Sequence, residues 1–125
     1  MTFKANGKKD RKPFNQMIGI YALVYHGKYI YIGQSSSIGY RIRIHMRTDR
    51  IDYTKREMLK YQSKGIPYTS KALKLYQFID SNREEIEFTI LHQCKPEDLN
   101  KYEKYYIELH KPPFNYRGVD IEYIL

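Results

Sequence analysis

The sequence predicts an α+β fold, with a small central antiparallel sheet of three strands flanked by helices. Three observations predict it. Met17 to Gly33, MIGIYALVYHGKYIYIG, holds two runs rich in Ile, Val and Tyr either side of His26-Gly27-Lys28. Such residues suit a pleated, half-buried surface, and a short polar break with a glycine reads as a hairpin turn. Phe88 to Leu91, within IEFTILHQC, is an apolar run that reads as a third strand buried between neighbours. Ala72, Leu75, Tyr76 and Ile79 recur at helical spacing, as do Leu99, Tyr102, Tyr106 and Leu109 or His110.

Taken in order, residues 1–16 open with MTFKANGKKDRKP and read as a basic, flexible arm that either lies along a phosphate backbone or simply keeps the chain in solution. In the hairpin, alternation puts Tyr21 and Tyr25 on one face of the first strand. It puts Tyr29, Tyr31 and Gly33 on one face of the second, so Tyr21 and Tyr31 can meet. Gln34-Ser35-Ser36-Ser37 is a polar loop whose serines are available as a helix cap. The following IGYRIRIHMR is ambiguous. Ile42 and Ile44 alternate with Arg41, Arg43 and His45 as in a strand, whereas a helix over 38–47 groups Ile38, Ile42 and Met46 and sets Arg41 and His45 on another face.

Residues 48–70 are polar and basic, with a helix-forming stretch around Tyr53 to Tyr61 and a break at Gly65 to Thr69, marked by Pro67. Lys71 to Ile79 makes the next helix. Pro96 with Glu97 and Asp98 opens the last, since proline is tolerated in a first turn and acids favour that end of the dipole. Pro112-Pro113 ends it. Asn115 sits in the turn, and a tail over 117–125 offers Ile121, Tyr123 and Leu125 as an edge strand.

A chain of 125 residues is one domain, too short for a catalytic domain with a separate targeting domain. Hydrophobic content of 42%, with 15% aromatic, supports a folded globule over a disordered chain. No apolar run can cross a bilayer, and the charged N-terminus lacks the apolar core of a secretory signal. The single Cys94, in an apolar run, excludes a disulfide framework and a cysteine zinc cluster and reads as a buried structural thiol. A reducing, cytoplasmic setting fits. The net charge of +8 is segregated: residues 1–13 carry +4, residues 41–74 carry +7, and residues 80–108 carry −4. That pattern is an electrostatic footprint for a polyanion, against the plain alternative of a solvated basic surface. The basic segments have no clear apolar face, which disfavours a membrane surface.

Gly19-Ile20-Tyr21, nine residues, then Tyr31-Ile32-Gly33 resembles the signature of the GIY-YIG nuclease family. Glu103-Lys104-Tyr105-Tyr106-Ile107 followed by Lys111-Pro112-Pro113-Phe114-Asn115 resembles that family's C-terminal half, so the likeness runs over residues 17–116. It implies the GIY-YIG type of fold, and with the serine cap it favours the helix over 38–47. It implies that Tyr21, Tyr31, Arg41, His45, Glu103 and Asn115 are catalytic, with Glu103 the metal ligand and Mg2+ or Mn2+ the cofactor. Each residue has a plainer reading of its own. The tyrosines suit an ordinary hairpin core, Arg41 a solvated charge and His45 a packed or surface histidine, while Glu103 could pair with Lys101 or Lys104. Their agreement across the chain outweighs these. The sequence departs from some members in carrying Tyr40 where they have a lysine before the arginine, a role open to Lys28.

The implied activity is divalent-metal-dependent hydrolysis of DNA phosphodiester bonds by a free-standing homing-type or restriction-type nuclease. Double-stranded DNA is the partner, and a homodimer on DNA is one route to a double-strand cut. Arg41 would neutralise charge on the phosphate, and Tyr21 or His45 would serve the attacking water. Lys28, Arg43, Arg47, Arg50, Lys55, Arg56 and Lys71 are candidate DNA contacts. The rival function is a nuclease-like module that binds nucleic acid without cutting it. The chain has no phosphate-loop, HExxH or GxSxG motif to suggest another chemistry.

Overall fold

A computed structural model describes residues 1–65 and 71–115, apart from the side chain of Lys71. The predicted break at Pro67 and the predicted edge strand at Ile121, Tyr123 and Leu125 lie outside the described residues. Four antiparallel strands form the sheet: β1 (Phe3–Lys4), β2 (Gly19–Tyr25), β3 (Lys28–Ser35) and β4 (Ile86–Gln93), in spatial order β1-β4-β2-β3. Helices α1 (Lys8–Arg11), α2 (Ile38–His45), α3 (Arg50–Ser63), α4 (Lys71–Ser81) and α5 (Leu99–His110) surround it.

The sheet has four strands where three are predicted from the sequence. The added strand comes from the segment expected to be a flexible arm. Phe3 pairs with Phe88 and Lys4 with Glu87, and Ala5 is fully buried. The rings of Phe3, Phe14 and Phe88 pack at centroid distances of 4.9 to 5.6 Å. A two-residue strand is too short to show period-2 alternation, and the charges of residues 8–12 mask the apolar anchors around them.

β2 is central and every residue of it is buried. At the tip, His26 (φ 49°) and Gly27 (φ 77°) both adopt positive φ, as a tight two-residue hairpin requires. Two bulges re-aim side chains. Leu23 opposes Tyr31 but Val24 opposes Tyr29, leaving Ile30 as the extra residue. Tyr31 therefore shares a face with Tyr21, while Tyr29 turns to the opposite face and meets the His110 ring at 4.8 Å. This corrects the simple alternation that put Tyr29 and Tyr31 together. The second bulge, between Ile20 and Tyr21 against β4, does the same for Leu91.

The larger core lies on the Tyr21 face. Ile38 and Ile42 of α2 and Met46 just after it pack there with Leu75, Tyr76, Phe78 and Ile79 from α4 and with Phe114. α5 covers the other face, where Leu99, Tyr102, Tyr106 and Ile107 meet Ile20, Ala22 and Ile32. Of the two alternatives Leu109 and His110, Leu109 is 58% exposed while the His110 ring meets Tyr29 at 4.8 Å, and Ile107 joins the apolar face. Cys94 is half-exposed just beyond β4 rather than buried. Lys111 ends α5 in the left-handed region (φ 46°, ψ 58°) ahead of the prolines.

Candidate active site

The site gathers at the β3 edge of the sheet, between α2 on one face and α5 on the other. Helix α2 follows the polar loop, as the serines suggest. The cap works differently, because Ser37 holds the cap position while the Ser35 hydroxyl accepts its N–H at 2.9 Å. Starting the helix at Ile38 buries Ile38, Ile42 and Met46 and carries His45 down onto Tyr21. Arg41, one turn earlier, remains exposed and its charge reaches Tyr21, Tyr31 and His45.

Tyr21 OH and His45 Nε2 share a hydrogen bond of 2.7 Å. The Tyr76 hydroxyl meets the other ring nitrogen, Nδ1, at 3.3 Å. The rings of Tyr21, Tyr31 and His45 form a triangle with centroid distances of 6.5, 5.8 and 5.5 Å. Tyr21 lies across Gly33: a Cβ there would stand 2.5 Å from the phenol oxygen. The glycine that closes YIG thus makes room for the tyrosine that closes GIY.

Burial, aided by the Tyr31 phenol, raises Tyr21 well above the usual tyrosine range. Tyr31 is pushed up to about 12 by burial and by the Glu103 carboxylate. His45 is pulled down to about 3 by burial and by the charges of Arg41 and Arg50, so it is neutral at physiological pH. Neutral imidazole carries one N–H and one acceptor nitrogen, which suits a ring flanked by two hydroxyls. Arg50 stacks its guanidinium over Tyr76 and Tyr53, 5.0 and 4.6 Å from the ring centroids.

Glu103 comes from α5, on the far side of β3. It is half-buried, and burial raises its pKa, while hydrogen bonds from the Gln34 side chain and backbone oppose the rise. Among the described residues it enters no ion pair. Asn115 imitates a neighbouring strand: its Oδ1 accepts from Ile32 N at 2.8 Å and its Nδ2 donates to Ile32 O at 2.9 Å. With Phe114 N donating to Ile30 O at 3.0 Å, the turn after α5 pairs with the outer edge of β3.

Tyr21, Tyr31 and His45 thus pack together within reach of the charge of Arg41, the Glu103 carboxylate acts on both tyrosines, and Asn115 braces β3 at Ile32. The candidate DNA contacts are scattered. Lys28 is exposed at the hairpin tip, Arg47 is tied to Asp49 at 2.8 Å, and Lys55 and Arg56 lie exposed on α3. Arg50 turns inward, Arg43 faces the N-terminal segment, and the side chain of Lys71 lies outside the described part of the chain. Sequence reading missed Tyr76, Gly33 and Gln34 as parts of the site. Tyr76 looked like one more apolar helix position, and no spacing rule shows which face of α4 meets His45.

A family model described as the GIY-YIG catalytic domain matches residues 17–117. No curated protein sequence matches the chain. Among solved structures, the GIY-YIG N-terminal endonuclease domain of UvrC from Thermotoga maritima, bound to its catalytic divalent cation, magnesium, is 18% identical. That pairing covers 87% of this chain and 94% of that one, with a TM-score of 0.49. An asparagine-to-alanine point mutant of the same domain is 19% identical over 88% and 94%, with a TM-score of 0.48. Because the family match spans the chain from Met17 past Asn115, the chain belongs to the GIY-YIG catalytic-domain family.

Proposed function

We propose that this domain cuts double-stranded DNA by metal-dependent phosphodiester hydrolysis, with Mg2+ or Mn2+ as the cation. The observation that carries this reading is the Tyr21–His45 hydrogen bond of 2.7 Å beside Tyr31 and Arg41, across β3 from the carboxylate of Glu103. Among the described residues no group of three or more His, Cys, Asp and Glu side chains converges. That fits Mg2+ better than zinc, since Mg2+ keeps several waters and takes one or two carboxylates plus substrate phosphates. A half-buried carboxylate in no ion pair among the described residues is the donor it needs, and Glu103 would hold it. The chemistry supplied by such a cation is charge neutralisation on the scissile phosphate and on the leaving oxygen.

The chain's own groups do the rest. Both nitrogens of His45 are engaged by hydroxyls, so His45 acts through Tyr21 rather than on water directly. The attacking water passes its proton to the Tyr21 oxygen as Tyr21 passes its own to His45 Nε2; the hydroxide adds to phosphorus as the opposite P–O bond breaks, the leaving oxygen takes a proton from solvent, and His45 returns its proton to solvent through Tyr21. Tyr76 takes the hydrogen bond from Nδ1–H and so fixes the tautomer. Arg41 neutralises the phosphate, and an anionic phosphate in turn cancels part of the charge that keeps His45 from accepting a proton. Tyr31 orients the water and phosphate, and Asn115 holds β3 in place.

The exposed basic residues of α3 are the candidate readers of sequence or shape, which favours a homing-type or restriction-type enzyme. One site makes a double-strand break through two nicks in turn or through two copies on the DNA. The test is nicking of supercoiled plasmid with Mg2+, with Mn2+ and with EDTA. Glu103→Gln keeps shape and removes charge, and is expected to lower the nicking rate at least about 100-fold while duplex binding and Tm persist. Undiminished cleavage by that variant rejects Glu103 as the metal ligand. Binding without cleavage by the parent protein in metal makes the domain a binding module instead. Mapping the ends cut from long genomic DNA separates a sequence-specific role, which gives discrete ends, from degradation.

A further inference from the structure

The N-terminal segment and the outer side of α2 create a second electropositive feature, and most of it precedes the stretch matched by the family model. Lys8, Arg11, Lys12, Asn15, Tyr40 and Arg43 line a cleft of about 360 Å³. Four of these are cations and none is an acid. The nearest acid in sequence, Asp10, is engaged elsewhere, with its Oδ2 accepting from Lys4 N at 2.9 Å. Arg11 is fixed in place by donating to Ala5 O at 2.9 Å, and Ala5 is itself locked beneath the β1–β4 pair.

Helix α2 lies hard against this segment. A Cβ on Gly39 would stand 2.2 Å from Asn15 Oδ1 and 2.5 Å from Arg11 O, so only glycine permits the approach. The approach brings Arg43 close to Arg11, and burial together with that like charge lowers the Arg11 pKa. The fold therefore holds cations together without an acidic partner lining the cleft, an arrangement that an anion relieves. Asn15 and Tyr40 add neutral donors. The cleft and the active site share α2: Arg41 serves the tyrosines, and Arg43, about 200° further round the helix, serves the cleft. Across a helix about 10 Å wide, this is a few nucleotide steps at about 3.4 Å each.

We propose that this cleft is a phosphate-backbone subsite, which grips the DNA strand flanking the scissile bond and adds affinity independent of base sequence. The identity of the polyanion rests on the nuclease reading above. The test reads binding alone, by fluorescence anisotropy on labelled duplexes of unrelated sequence, titrated with salt. Lys12→Ala and Arg43→Ala should each weaken binding alike for all sequences. Each should also reduce the slope of log K against log salt by about 0.9, the share of one phosphate left unneutralised. Lys9→Ala, exposed on the same segment but outside the cleft, should leave the slope unchanged.

Unchanged slopes in cleft variants that keep the parent Tm overturn the proposal. So does an equal fall in Lys9→Ala, which would mean only diffuse charge, and so does an absence of duplex binding. If inorganic phosphate raises the Tm of the parent but not of Arg43→Ala, while the duplex slopes stay equal, the cleft is a free-anion site and the proposal fails. If the parent binds duplex through the cleft yet never nicks it, the nuclease reading fails and the subsite stands.

Discussion

His45 shows how one residue can be chemically available because it is buried. Folded, it takes up a proton only near pH 3, whereas an unfolded histidine does so near pH 6.5. Between those values unfolding binds a proton, so stability that is complete above pH 6.5 is lost as pH falls towards 3. The whole linkage amounts to roughly 5 kcal/mol. We expect the parent Tm to fall between pH 7 and pH 4.5 by clearly more than that of His45→Gln, measured side by side by calorimetry. Equal losses would show that His45 is not the group responsible. The residue itself was legible only through the family resemblance, since its four-residue spacing to Arg41 alone reads equally as a packed or surface histidine. Its protonation state was not, because that depends on Arg50 and on the walls supplied by α4.

At the scale of elements, β3 is a strand whose outer edge would be open without the turn after α5. Asn115 closes it with two side-chain bonds to Ile32, the residue between Tyr31 and Gly33. Asn115→Asp keeps the size but loses the donor and sets a carboxylate against Ile32 O. It should destabilise the protein by about 1–3 kcal/mol and lower the nicking rate, as read by urea unfolding and the plasmid assay. An unchanged urea midpoint would mean that the clamp contributes nothing. The hairpin, β4, α4 and α5 were each visible in the sequence from period and turn residues. The bulge at Ile30 was not, since nothing in KYIYIG marks where the register slips. That slip decides that Tyr31, and not Tyr29, faces the site.

Across the whole molecule, the first 14 residues belong to the fold. β1 covers the edge of β4, and Phe3 and Phe14 seal Phe88. Deleting residues 2–6 should therefore lower the Tm, uncover a strand edge and promote aggregation, seen by thermal melts and light scattering. A flexible arm would be removed without effect on either. No described helix is long and apolar enough to cross a membrane. The segregation of charge was readable from composition. Its use was not, because Lys8, Arg11, Lys12 and Arg43 meet only when Gly39 lets α2 close onto the N-terminal turn.

From the sequence alone came the α+β class, the hairpin, the helices α3, α4 and α5 and the family resemblance, which in turn favoured α2, because these rest on local period, turn chemistry and short motifs. Tertiary structure alone decided the fourth strand, the partners of His45 and the meeting of Glu103 with the tyrosines across β3. Each of those depends on residues far apart in the chain being brought together by the fold, and on the burial that then shifts their charges.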